Sequence, residues 1–118
     1  MNIESFRDYC LSLKGTTDDM PFDESTLVFK VMGKMFALTN IDTFESINLK
    51  CNPEKAIELR EQYDGIVLPG YHMNKQHWNT IIMDDNISDA ILKSWLKDSY
   101  DLVAATLTIK MRNKLDAL

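Results

Sequence analysis

The sequence predicts an α+β two-layer sandwich, an antiparallel sheet with helices packed on one face, in the order α-β-β-β-α-β-α. Three observations carry that prediction. The first and last segments repeat apolar residues every three or four positions, the stripe of an amphipathic helix. The middle of the chain holds short runs rich in Val, Ile, Leu, Phe and Thr, several of them alternating apolar and polar. Two of those runs flank Gly33 and read as a hairpin, which sets the strands antiparallel.

Each element has its own local signal. In the first helix Ile3, Phe6, Cys10 and Leu13 form the stripe, Asn2 is the N-cap and Lys14-Gly15 the stop. TTDDMPFDES, residues 17–25 with Thr16, is acidic and turn-rich and reads as a loop. TLVFKVM and KMFALTN are the hairpin strands. FESINLKC alternates, with Ile47, Leu49 and Cys51 on one face and Ser46, Asn48 and Lys50 on the other, so one sheet face is wet. Asn52-Pro53 opens the second helix as N-cap and first-turn proline, Ala56, Leu59 and Tyr63 face inward, and Asp64-Gly65 ends it. An irregular connection follows, then HWNTIIM as a fourth strand. From Ser88 the chain is helical, with Leu92, Leu96, Val103 and Leu107 in line, Ile87, Ile91 and Trp95 beside them, and the basic end IKMRNKL extending or fraying.

At 118 residues, 45% hydrophobic and 26% charged, the chain reads as one domain, 1–118, with its own core. No apolar run reaches the roughly 20 residues of a bilayer span, and the start carries Glu4 and Asp8 where a signal peptide is basic. Cys10 and Cys51 stand far apart without metal-like spacing, which favours a reduced, cytoplasmic protein. A net charge of −5 argues against binding nucleic acid through bulk positive charge. The acidity concentrates in residues 1–26, which hold six acids against Arg7 and Lys14, while residues 27–83 are balanced.

Candidate chemistry gathers in PGYHMNKQHWNTI, residues 69–81. His72 and His77, with Asp84 or Asp85 near, lack the repeated spacing of a structural metal site and read as surface or hydrogen-bonding histidines. Cys10 and Cys51 fall on apolar faces, and no nucleophile elbow, P-loop or dinucleotide fingerprint is present, so no catalytic residue and no cofactor is assigned. Asp18, Asp19, Asp23 and Glu24 lack the alternation of a calcium loop and read as a solvated acidic turn. Trp95 reads as core. If Trp78 points inward with Thr80 and Ile82, then His77, Asn79 and Ile81 point outward and join Lys30, Asn48 and Lys50 on the open sheet face. Lysines and amides there suit phosphate and base-edge contacts, and they also suit any solvated face.

Four ordered pieces resemble one family. They are LVFKVMGKMFAL at 27–38, INLKCNPEKAIELRE at 47–61, PGYHMNKQHWNTI itself, and DSYDLVAATL at 98–107. Together they are similar to the MmcQ/YjbR family of small bacterial proteins over nearly the whole length. The resemblance implies a CyaY-like (frataxin-like) α+β fold and a DNA-binding role through a double-wing sheet surface. The matching positions here are Lys34, Lys50, Tyr71, Lys75, His77, Trp78 and Asn79. Gln76 stands where relatives often carry a basic residue, so DNA affinity is expected to be modest and salt-sensitive.

Two functional expectations follow. The first is a non-enzymatic DNA-binding or regulatory domain using Lys30, Lys34, Asn48, Lys50, Lys75, His77 and Asn79. The second is a module that binds a protein or small molecule around Tyr71, His72, His77 and Trp78.

Overall fold

In the structure, a computed structural model that describes residues 1–118, ten elements follow in order. They are α1 (Ile3–Ser12), β1 (Thr16–Asp19), β2 (Thr26–Val31), β3 (Lys34–Asn40), β4 (Ser46–Lys50), α2 (Pro53–Gln62), β5 (Val67–Pro69), β6 (Trp78–Ile82), α3 (Asp89–Ala104) and α4 (Ile109–Asp116). The strands form one antiparallel sheet of order β1-β2-β3-β4-β6-β5. The predicted α+β class holds, and the predicted element order is extended at both sheet edges and at the C-terminus.

The helix starts are local chemistry. The Asn2 side chain accepts from Ser5 N–H at 2.8 Å and the Ser5 hydroxyl answers the Asn2 N–H at 3.0 Å, a closed capping box. Asn52 caps α2 at Glu54 N–H with Pro53 behind it, and Ser88 caps α3 at Ile91 N–H. The C-terminal helix breaks after Ala104, and Thr108 restarts it by capping Met111 N–H at 3.2 Å. The segment 16–19, expected as loop, is instead an edge strand paired with β2. Its inward-turned Asp18 accepts from Arg7 Nε of α1 at 2.7 Å. The other edge, β5, was expected as irregular chain; it is short and ends at Pro69, after which the Gly70 N–H still donates to the Trp78 carbonyl at 2.9 Å.

At the β2–β3 hairpin both turn residues, Met32 (φ 48°) and Gly33 (φ 85°), are left-handed, the two-residue turn whose twist matches a hairpin. A bulge follows, because Phe29 pairs with Ala37 and Lys30 with Met35. Phe36 is the extra residue, and it and Ala37 both join the helix-side core. The bulge frees the Phe36 carbonyl. The fully buried Ser99 hydroxyl of α3 donates to it at 2.6 Å and accepts Lys50 N–H at 2.9 Å, tying helix to sheet.

All four helices contribute to one core cluster on a single sheet face, among them Phe6, Leu59, Leu96 and Leu115 packed with Phe29, Phe36 and Ile47. Burying each large side chain contributes about 1.5–3 kcal/mol. A second, smaller cluster lies on the opposite face: Val28, Leu38 and Trp78, with Met35 and Met73 against them. No helix is long and apolar enough to cross a membrane.

Candidate functional site

Leu38, Met35 and Met73 of the second cluster line a groove of about 560 Å³ on the sheet face that the helices leave uncovered. One wall is the 20–25 turn with Phe22; the other is the 70–73 turn with Tyr71, His72 and Met73. Met35 and Leu38 lie beneath, and Ser46, Asn48 and Asn40 give a polar border.

Both walls are built by side-chain hydrogen bonds. Asp23 accepts from Ser25 N–H at 2.8 Å, Thr26 N–H at 2.6 Å and the Thr26 hydroxyl at 3.0 Å, which holds its carboxyl below the usual carboxylate range and fixes the turn that presents Phe22. Gly70 makes the other turn, because an added Cβ there would sit 2.8 Å from Trp78 Cβ and 2.9 Å from its carbonyl oxygen. Tyr71 N–H donates to the Thr80 hydroxyl at 2.9 Å, and that hydroxyl donates to Asn48 Oδ1. With Oδ1 taken, Asn48 has its amide N–H groups left to present at the groove. The Tyr71 and His72 rings touch at a tilt of 50° with centroids 4.0 Å apart, His72 in the left-handed region at φ 57°. Phe22 and Tyr71 are 66% and 69% exposed, large aromatic side chains held out to solvent.

The structure redistributes the predicted site residues. Lys30, Asn48 and Lys50 share the open face, as the strand alternation implied, and Lys30 sits 3.5 Å from Asp19. Trp78 is buried (7% exposed), but on the open face rather than among the helices. That reverses the parity of β6. Asn79, expected outward, is 2% exposed on the helix side, where Oδ1 accepts from Arg60 Nε at 2.8 Å and Nδ2 donates to the Ala56 carbonyl at 3.3 Å. The strand carries apolar residues in both parities, so a buried Trp78 alone did not say which face it served.

Two lysines serve the scaffold. Lys34 donates to the Thr106 carbonyl at 3.0 Å and its hydroxyl at 3.2 Å, at the end of α3 where the helix dipole favours a cation. Lys75 donates to the Gly70 carbonyl at 3.0 Å, and its own carbonyl accepts from Arg60 at 2.5 Å. His77 is half-buried at the start of β6, where its carbonyl accepts Cys51 N–H at 2.7 Å. Sequence reasoning missed Phe22, Met35, Leu38 and Met73 as site residues. An exposed Phe beside Pro21 in an acidic turn was the available signal for the first.

The YjbR family model matches residues 11–102. The chain belongs to the YjbR family. The uncharacterized YbdF of Escherichia coli O157:H7 is 40% identical over 84 residues, 70% of this chain and 68% of that one. The uncharacterized YjbR of E. coli K12 is 28% identical over 116 residues, 98% of each chain. Among solved structures, Deinococcus radiodurans protein DR2400, with domain DUF419, matches at a TM-score of 0.92 and 36% identity, covering 98% of this chain and 88% of that one. A Pseudomonas syringae protein matches at 0.73 and 30%, covering 87% and 99%. The family match takes in both groove walls and the whole motif at 69–81.

Proposed function

We propose that this YjbR-family protein is a binding module that captures a segment of a partner protein in the open-face groove. An apolar or aromatic anchor enters between Phe22 and Tyr71, and basic residues of the partner flank it. The carrying observation is the pair of exposed aromatics, Phe22 and Tyr71, lining one groove together with Met35, Leu38 and Met73. Aromatic and Met side chains are what protein interfaces concentrate, and Met adapts its shape to the entering group. Charge supplies the rest. Asp23 lines the groove, Glu24 follows it, and Asp42 accepts from Ser25 beside it, in a chain of net charge −5. A basic segment is drawn to such a border and an acidic one is not.

The groove's titratable groups are Asp23, Tyr71 and His72, and the Asp23 carboxylate is committed to its turn, which favours binding over acid–base catalysis. Duplex DNA, the partner implied by the family resemblance, would need free cations on this face. Lys34 and Lys75 are engaged in the scaffold and Lys30 faces Asp19, so DNA is the weaker reading.

A displayed random-peptide library selected on the native protein, with Phe22→Ser/Tyr71→Ala as counter-selection, tests the proposal. Enriched sequences should carry an aromatic or aliphatic residue next to Lys or Arg. Failure to enrich such sequences would defeat it. So would saturable binding of labelled duplex DNA that Lys30→Ala/Lys50→Ala abolishes and Phe22→Ser/Tyr71→Ala leaves intact.

A further inference from the structure

A second cavity, of about 340 Å³, lies on the other side of the sheet and is separate from the groove. α2 packs on β5 while α3 packs on β3 and β4, and the cavity is lined from both helices. They meet near Tyr63 and Trp95, whose rings touch edge to face at 5.2 Å. Leu49, Val67 and Ile81 of the sheet make the floor, with Leu59 of α2 and Trp95 and Leu102 of α3 as walls. The volume falls at the lower end of small-molecule sites, roughly 300–1,000 Å³.

Beside Cys51, the polar residues of the lining are Lys50, Asn52, Lys55, Asn79 and Asp98, and Asn79 is already engaged with Arg60 and Ala56. Lys55 of α2 and Asp98 of α3 line the cavity from its two helices, both with exposed side chains. Asp98 belongs to no ion pair, and Lys55 has only a distant contact with Glu58 at 4.0 Å. The half-buried Cys51 thiol lies on the same lining, and burial first of all pushes its pKa up. Asn52, whose Oδ1 caps α2, lines the same region and retains its amide N–H groups.

From this arrangement we infer that the cavity binds a free apolar α-amino acid, its side chain in the apolar well, its carboxylate on Lys55 and Asn52, and its ammonium on Asp98. A fatty or aromatic acid would leave Asp98 facing its carboxylate, and an apolar amine would leave Lys55 facing its ammonium. A zwitterion offers a partner to each of these two charges, and the apolar floor and walls suit its side chain.

The test is a titration of the native protein with L-leucine and L-phenylalanine, followed by methyl shifts of Leu49, Ile81 and Leu102 and by Trp95 emission in a Trp78→Phe background. The inference requires saturable shifts confined to these residues. Lys55→Gln and Asp98→Asn, both at exposed positions, should each weaken binding at least about tenfold. Leu102→Phe, which fills the well, should abolish binding without lowering Tm. Hexanoate and leucinamide should bind at least about tenfold more weakly than leucine. Absence of shifts at millimolar amino acid, or hexanoate binding as tightly as leucine, would overturn it. None of these outcomes depends on Phe22 or Tyr71, so the groove proposal stands or falls separately.

Discussion

Asn79→Ala separates the placement of the motif in the structure from the one its sequence suggested. Asn79 accepts from the Arg60 guanidinium and donates to the Ala56 carbonyl. A hydrogen bond to a charged group contributes about 1.5–3 kcal/mol and a neutral one about 1 kcal/mol. Arg60 is half-buried, so water partly compensates it and the lower part of that range applies. The loss is therefore about 3 kcal/mol. At roughly 2.1 cal/mol/K of unfolding entropy per residue, a chain of this length loses about 4 °C of Tm per kcal/mol, giving a fall of about 12 °C. Thermal scans by circular dichroism and urea titrations measure it, with the urea slope unchanged. Because Arg60 also holds the Lys75 carbonyl, amide exchange across 71–77 should speed up in the same variant. A Tm within about 2 °C of the native value, with unchanged exchange, is what an outward, solvent-facing Asn79 would give, and it would refute the assigned parity of β6.

Three further perturbations follow from other contacts. Gly70→Ala should destabilise by about 1–3 kcal/mol, since its Cβ meets Trp78 backbone as well as side chain, and displacing the turn should cost groove binding too. Equal stability and binding in that variant would contradict the tight approach. Thr16→Val should raise stability by about 1 kcal/mol, because the Thr16 hydroxyl is buried without a hydrogen-bond partner; a loss in urea titrations would mean the hydroxyl is satisfied. Asp23 has its pKa lowered by the Ser25 and Thr26 donors, so its stabilisation is present above the unfolded carboxylate value of about 3.9 and is lost as pH falls through the folded one. Amide exchange at Ser25 and Thr26 should accelerate there beyond the rest of the sheet, and Asp23→Ala should remove that acid-dependent difference.

Much of the fold was legible because its signals are local. Asn2, Asn52-Pro53 and Ser88 each cap the helix they announce, and the alternation of residues 46–50 gave β4 its correct faces. The edges were not legible. Thr16–Asp19 has no apolar residue, since what it turns inward is a threonine and an ion-paired aspartate. Val67–Pro69 is too short for a periodic signal. The restart of the last helix was present as Thr108, a capping residue inside an apolar line, but the line itself suggested continuity.

The site was legible as a location and less so as a mechanism. The span 69–81 does build one groove wall, and Tyr71 and His72 stand on it. Its amides and lysine read as recognition groups because sequence cannot distinguish a polar side chain that meets a ligand from one that braces a loop. Asn79 and Lys75 brace. The other wall lies some fifty residues upstream, and only the pairing of β2, β3, β4 and β6 brings Phe22 opposite Tyr71.

The most direct measurement of the central claim uses the methionine methyls. Met35 and Met73 line the groove, while Met1, Met32, Met83 and Met111 lie outside its lining and away from its wall turns and serve as internal controls. Methyl-labelled protein would be titrated first with a basic, aromatic-containing peptide from the library selection and then with duplex DNA. The account predicts saturable shifts at Met35 and Met73 with peptide, lost in Phe22→Ser/Tyr71→Ala. Shifts produced by DNA alone, or by peptide only at methionines outside the groove, would contradict it.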